Sequence, residues 1–368
     1  GSMLRSAGEV RPELIAAMSF LDISKSNLGN DGAEAIGQAV ISSQVQTIVI
    51  GPKSTKVDLS GVEKWELSGQ ELGPSEMVLL GSMLRSACEV RPELIAAMSF
   101  FDVSGNFVFG SKDSHPGWVD NKTIHNVDAD VSGWQAICSV LRSCPIETLK
   151  ISDIGMGPAD MQALSALIGT ELGSMISALD ISGNMITGSA EVAAKQGGGG
   201  FGGSFGGAFG GGFGGFGGGA GGSNEKKWVL DQNTAGLERL CDTIGQSSVQ
   251  DLNLSKCQLG PSAVAMISEK LTLEATFGSL IVLDVSGNPG ILGELDQSGR
   301  LKTADVHVEQ FKRLAAAIGQ LPNIASLKLA SIGMGPKGAM VFGEKLEQGE
   351  GGEKLMAAMS FLSVGGNP

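Results

Sequence analysis

The residues of this chain whose types could do chemistry are few, three histidines and five cysteines among them. His115 follows Asp113 by two residues in KDSHPGW, a pairing able to ligate a metal or pass a proton, yet no second His or Cys stands at ligand spacing. The chain has no G-x-S-x-G, no H-E-x-x-H, no paired C-x-x-C and no dinucleotide fingerprint in a strand-to-helix setting. The expectation is therefore no catalytic residue, no metal, no cofactor and a chain that is not an enzyme. Cys88, Cys138, Cys144, Cys241 and Cys257 are odd in number and lack disulfide-framework spacing. They read as reduced, packed thiols, which favours a reducing intracellular compartment, while no targeting segment fixes the localisation. Asn121-Lys-Thr and Asn253-Leu-Ser match the glycosylation sequon, but the second falls on an expected inner strand.

What must position any such group is a repeat. LIVLDVSGN, with Leu280, Leu283, Val285 and Asn288, fits L-x-x-L-x-L-x-x-N, a spacing that puts one short strand in each coil of a stack. Nine copies follow this spacing, their second apolar positions being Leu21, Ile48, Phe101, Leu149, Leu179, Leu252, Leu283, Leu327 and Leu362. Odd copies read LDxSGN or close to it. Even copies lack the Asn and mostly lead into G-P, as in IGMGPADM, CQLGPSAV and IGMGPKGA, so the unit is a pair of coils. Leu21, Phe101, Leu179, Leu283 and Leu362 recur at steps of 80, 78, 104 and 79 residues, and the long step holds a glycine tract.

GSMLRSAGEVRPELIAAMSFLDIS at the start returns at Gly81 as GSMLRSACEVRPELIAAMSFFDVS, so the opening triplet reads as native sequence. Neither end shows the polar cap that stacked repeats need. The expectation is a segment of a longer protein, or ends covered by neighbours in an assembly. Between strands the period turns helical, as in Met161, Leu164, Leu167 and Ile168, and Pro74, Pro158, Pro261 and Pro336 stand where a first helical turn tolerates the missing N–H.

The long coil, the alternation of two repeat types and Cys257 at the Asn position make the chain resemble the ribonuclease-inhibitor-like leucine-rich repeat proteins. The resemblance implies an α/β solenoid spanning 1–368 as one unit, a horseshoe with a parallel concave sheet and convex helices, and usually a protein-binding role.

In x-L-x-L-x the x positions face away from the core. The central ones include Asp22, Asp102, Lys150, Asp180, Asp284 and Lys328. They read either as an acidic stripe for a basic partner or as a ladder that neutralises itself across strands about 4.8 Å apart. The following x positions are small, mostly serine, and the face has no Trp or Arg.

Four segments lengthen their coils after the strand, at about 51–72, 107–130, 185–234 and 289–306, and are expected as β-hairpin-like insertions on one edge. In the first, TKVDL and KWEL flank SGVE as hairpin arms; in the second, FVFG and KTIHNV flank SKDSHPGWVDN. Trp65, Trp118 and Trp228 fall in these insertions, either as edge-binding residues or as lids on small satellite cores. Residues 197–222 form a Gly/Phe tract with Phe201, Phe205, Phe209, Phe213 and Phe216, which reads as a flexible tether or as docking stickers.

A net charge of −13 without a basic run speaks against nucleic acid, and no stretch of about 20 apolar residues predicts a membrane span. The reading is a protein-binding scaffold, a subunit or segment of a larger assembly, binding other proteins through its edge insertions. The alternative is a regulator of a partner enzyme, of the GTPase-activating or inhibitor type, acting through the concave face. Self-association through uncapped ends is a further expectation.

Overall fold

A computed structural model describes residues 18–60, 63–109, 127–171, 173–193, 226–272, 277–347 and 349–368. The fold is α/β, with helices packed on a long parallel sheet. Strands β1 (Phe20–Asp22), β2 (Thr47–Ile50) and β3 (Thr55–Asp58) form a three-stranded sheet. An eight-stranded parallel sheet follows, in the order β15 (Phe361–Ser363), β14 (Ser326–Lys328), β11 (Val282–Asp284), β10 (Asp251–Asn253), β7 (Ala178–Asp180), β6 (Thr148–Lys150), β5 (Phe100–Asp102), β4 (Lys64–Glu66).

The repeat spacing fixes the register. Leu21 pairs with Ile48, and from Phe101 the line runs through Leu149, Leu179, Leu252, Leu283 and Leu327 to Leu362 without a slip. A one-residue slip would turn every leucine outward, so burial of one face holds the line. Helices α1 (Gly29–Ile41), α2 (Pro74–Val90), α3 (Pro92–Ala96), α4 (Ser132–Leu141), α5 (Met161–Ile168), α6 (Ala235–Ile244), α7 (Pro261–Thr272), α8 (Val308–Ile318), α9 (Pro336–Glu347) and α10 (Gly349–Ala358) run alongside. Apart from the short α3, which packs on α2, each helix packs on the next in chain order. One apolar core lies between sheet and helices, from Ala33 to Leu355. The second GSM triplet lies inside α2, where Gly81 meets the Ala136 backbone of α4; a Cβ there would sit 2.9 Å from the Ala136 carbonyl carbon.

The first expected insertion is corrected. TKVDL does not pair with KWEL: β3 folds back antiparallel on β2, with Ile48 opposite Val57 and Ile50 opposite Thr55. The tight turn between them makes this possible, with Gly51 at φ 68° and the Ser54 amide donating to the Gly51 carbonyl at 3.3 Å. KWEL instead supplies a tenth coil strand, with Trp65 beside Phe101 in the parallel register. Trp65 thus holds a leucine position; it is 4% exposed, its ring 6.2 Å from that of Phe101. It is a core residue and not an edge-binding one. Its spacing carried the signal: Trp65 precedes Phe101 by 36 residues, close to the 35 between Leu327 and Leu362.

Pro74, Pro261 and Pro336 open their helices as expected, whereas α5 starts at Met161, three residues after Pro158.

Candidate functional site

The open face of the sheet is stitched by its own polar residues. Asp22, Asp102, Asp180, Asn253 and Asp284 each accept a hydrogen bond from the amide two residues on, at Ser24, Ser104, Ser182, Ser255 and Ser286, over 2.9–3.0 Å. D-x-S, or N-x-S at Asn253, is therefore a turn that ends these five strands. The Ser24 amide and hydroxyl hold the Asp22 carboxyl below its ordinary range. The serines reach sideways: the hydroxyls of Ser104 and Ser286 accept from the amides of Ser152 and Ala330 at 3.1 and 3.2 Å.

Over this frame lies a groove of about 200 Å³ crossing β6, β7, β10, β11 and β14. Thr148, Ala178 and Val282 line it along with Asp180, Asp251 and Asn253, and Lys150 and Lys328 also border it. Lys328 pairs with Asp284 at 3.3 Å, and Asp284 is only 9% exposed. The Lys150 ammonium lies over the Phe100 ring, 5.3 Å from its centre. Lys150 and Lys328 are thus already engaged, whereas Asp251 is exposed. Such a groove can receive a chain segment bearing a cation and small apolar side chains; among the described residues it holds no nucleophile and base in hydrogen-bond reach.

The insertions share a structural end that their sequences do not announce. Asp128, Asp231 and Asp305 all adopt the left-handed conformation, at φ 57°, 53° and 59°. Each turns its carboxylate onto the G-P loop that starts the next coil's helix. Asp128 accepts from the amides of Gly157 (2.6 Å) and Ala159 (3.1 Å). Asp231 accepts from Gly260 (3.0 Å) and Ala263 (2.9 Å). Asp305 takes three amides, Gly335, Lys337 and Gly338, at 2.8–2.9 Å. These amides have no intrahelical acceptor, and a negative charge suits the positive end of a helix. Three aspartates 29 or 30 residues before the glycine of G-P are the sequence signal, and no chemical motif contains them. Asp305→Ala is expected to lower unfolding free energy by about 2 kcal/mol, read as a lower urea midpoint at unchanged slope; a loss below about 0.5 kcal/mol would mean that water replaces the clamp.

Two insertion hairpins lie side by side. The antiparallel arms β8 (Ala190–Ala193) and β9 (Lys226–Val229) flank one, and β12 (Glu294–Leu295) and β13 (Leu301–Thr303) form the other. Trp228 packs its ring against Gly299 at the tip of the second hairpin, and Leu230 packs against Gly260 and Gly290. The Trp228 indole N–H is buried without an acceptor. Trp228 therefore packs between two insertions. Trp118, Phe201, Phe205, Phe209, Phe213 and Phe216 lie outside the described residues, as do Asp113, His115 and His125.

The thiols behave as packing groups. Burial pushes Cys144, Cys241 and Cys257 each up to about 12. Cys257, at the Asn position, donates its Sγ–H towards the Ile181 carbonyl at 3.4 Å. His307, just before α8, is held below its ordinary value by burial.

A family model described as Leucine Rich repeat matches residues 18–37, the first described coil. No curated protein matches the chain.

Proposed function

We propose that this leucine-rich repeat protein is a non-enzymatic scaffold of ribonuclease-inhibitor-like solenoid form that binds another protein, as a subunit of a larger assembly. The leucine-rich repeat itself suggests a protein–protein interaction role. The observation that carries the reading is the groove over β6 to β14, with Asp180 and Asp251 beside Ala178 and Val282. Its partner is an extended segment whose Arg or Lys lies near those carboxylates while small apolar side chains meet the floor. A net charge of −13 supports a basic protein surface over nucleic acid. Among the described residues no helix is long and apolar enough to cross a membrane.

The stacked hairpins of Trp228 and Gly299 favour a second reading, in which partners are held at the insertion-bearing edge. Crosslinking mass spectrometry of the natively isolated protein separates the two. Crosslinks at Lys150 and Lys328 support the groove, and with it a regulator's mode of binding; crosslinks confined to Lys226, Lys227 and Lys302 support the edge and overturn the groove. Asp180→Asn, which keeps the oxygen that the Ser182 amide uses, with Asp251→Lys is expected to weaken partner binding at least 100-fold, about 3 kcal/mol, with the melting temperature unchanged within about 2 °C. Unchanged affinity would sink the groove reading.

Among the described residues β1 and β15 are edge strands, with Phe20 and Phe361 each half exposed, an arrangement that would let copies stack end to end. Light scattering that gives a concentration-independent monomer would remove self-association.

A further inference from the structure

One of the three aspartate clamps carries a second carboxyl. At the start of α5 the sequence is G-P-A-D-M, and Asp160 stands where the other clamped loops have Ala263 and Gly338. Asp160 is 4% exposed, and its Oδ2 is buried with no hydrogen-bond partner. The local donors are already taken: the amides of Gly157 and Ala159 point to Asp128. The Asp128 carboxyl is the group that meets Asp160 side chain to side chain. Two carboxylates in contact cannot both stay charged without a cation between them. Among the described residues the other packed elements bring none: α5 itself is MQALSALI, α6 presents Gly236 to the Pro158 carbonyl, and α4 presents the Cys138 thiol. That thiol is buried and pushed up well beyond its ordinary value, so it stays neutral.

We infer that Asp160 holds a proton against the Asp128 carboxylate and forms with it a pH-sensitive latch, which holds residues 127–130 to the start of α5 when protonated and loosens when it ionises. Burial, and then the Asp128 charge, push the Asp160 carboxyl up to about 7, against 3.8 when free. The sign follows. The folded chain holds the proton more tightly than the unfolded chain, so the latch contributes fully at acid pH. The contribution is lost as pH rises through about 7. The other two clamps have Ala263 and Gly338 in place of the second acid. His307, which Asp231 faces and which burial holds below its ordinary 6.5, titrates on the acid side of the latch.

Hydrogen exchange with mass spectrometry on the full chain between pH 5 and pH 9 tests this, using peptides over 153–161, 256–264 and 331–339. Referring the first to the other two cancels the common effect of pH on chemical exchange. Protection over 153–161 is expected to fall by up to about tenfold per pH unit above 7, relative to the other clamps. Asp160→Asn, which keeps the shape without the charge, is expected to remove that fall. An equal pH response at all three clamps overturns the latch, as does a fall that persists in Asp160→Asn. Should that variant not fold, the wild-type carboxyl carbon resonances decide: a midpoint near 7 at Asp160 supports the latch, and one below 5 overturns it.

Discussion

Replacing Asn184 with alanine is expected to cost about 4–5 kcal/mol of folding free energy, a large loss for one uncharged side chain. The Asn184 amide is fully buried; its oxygen accepts from the amides of Ile154 and Met156, both at 3.1 Å. Its nitrogen donates to the carbonyls of Ile151 (2.8 Å) and Ile181 (2.9 Å). Alanine strands four backbone groups in a dry turn, each costing about 1–3 kcal/mol when unpaired, offset by whatever relaxation the turn allows. Asn106, Asn288 and Asn367 do the same work, each reaching into the coil before it. This is why the repeat unit is a pair: the Asn-bearing coil supplies the amide that its even neighbour lacks. Urea unfolding followed by far-ultraviolet circular dichroism measures the loss. Asn367→Ala, in a partly exposed coil, is expected to cost about half as much. A loss below about 1 kcal/mol for Asn184→Ala would mean that water enters the turn and that the amide is not what joins the pair.

Trp65 gives the second large effect, and its size separates two readings of one segment. On an exposed hairpin arm, Trp65→Ala would change stability by less than about 0.5 kcal/mol. In the leucine position of β4, against Phe101, the same change is expected to cost about 3–5 kcal/mol. Trp65→Leu should cost less than half of that. Leucine is what the coils from β6 onward use at that register, and the substitution removes an indole N–H that is buried without an acceptor. Thermal and urea unfolding of the two variants provide the comparison. If Ala and Leu both prove neutral, Trp65 is not part of the core.

Within the candidate site, the sequence located the row of Asp22, Asp102, Lys150, Asp180, Asp284 and Lys328 on the open face but not its work. Each aspartate first closes its own turn, through the serine two residues on, and only then faces a neighbour. That preference is local and was legible in D-x-S. The groove was not, because it arises where Ala178 and Val282 are small enough to leave room between five strands, which depends on which coils end up adjacent. The clamps of Asp128, Asp231 and Asp305 were not legible for a related reason. An aspartate some 30 residues from a G-P loop carries no meaning until the fold brings it to a helix start.

By itself, the sequence determined the register of the leucines and the strand and helix in each coil. These follow from short spacings, where burial of alternate side chains and the needs of a turn leave one solution. Only the tertiary structure decided which strand pairs with which when two partners are locally equivalent. TKVDL could have paired with KWEL or with TIVI, and KWEL is claimed by Phe101 because Trp65 and Leu67 are buried only there. Only the tertiary structure brought Asp160 against Asp128 and left its outer oxygen without a donor. Such meetings join residues from different coils, and their energy comes from what burial removes, a quantity that no short stretch of sequence contains.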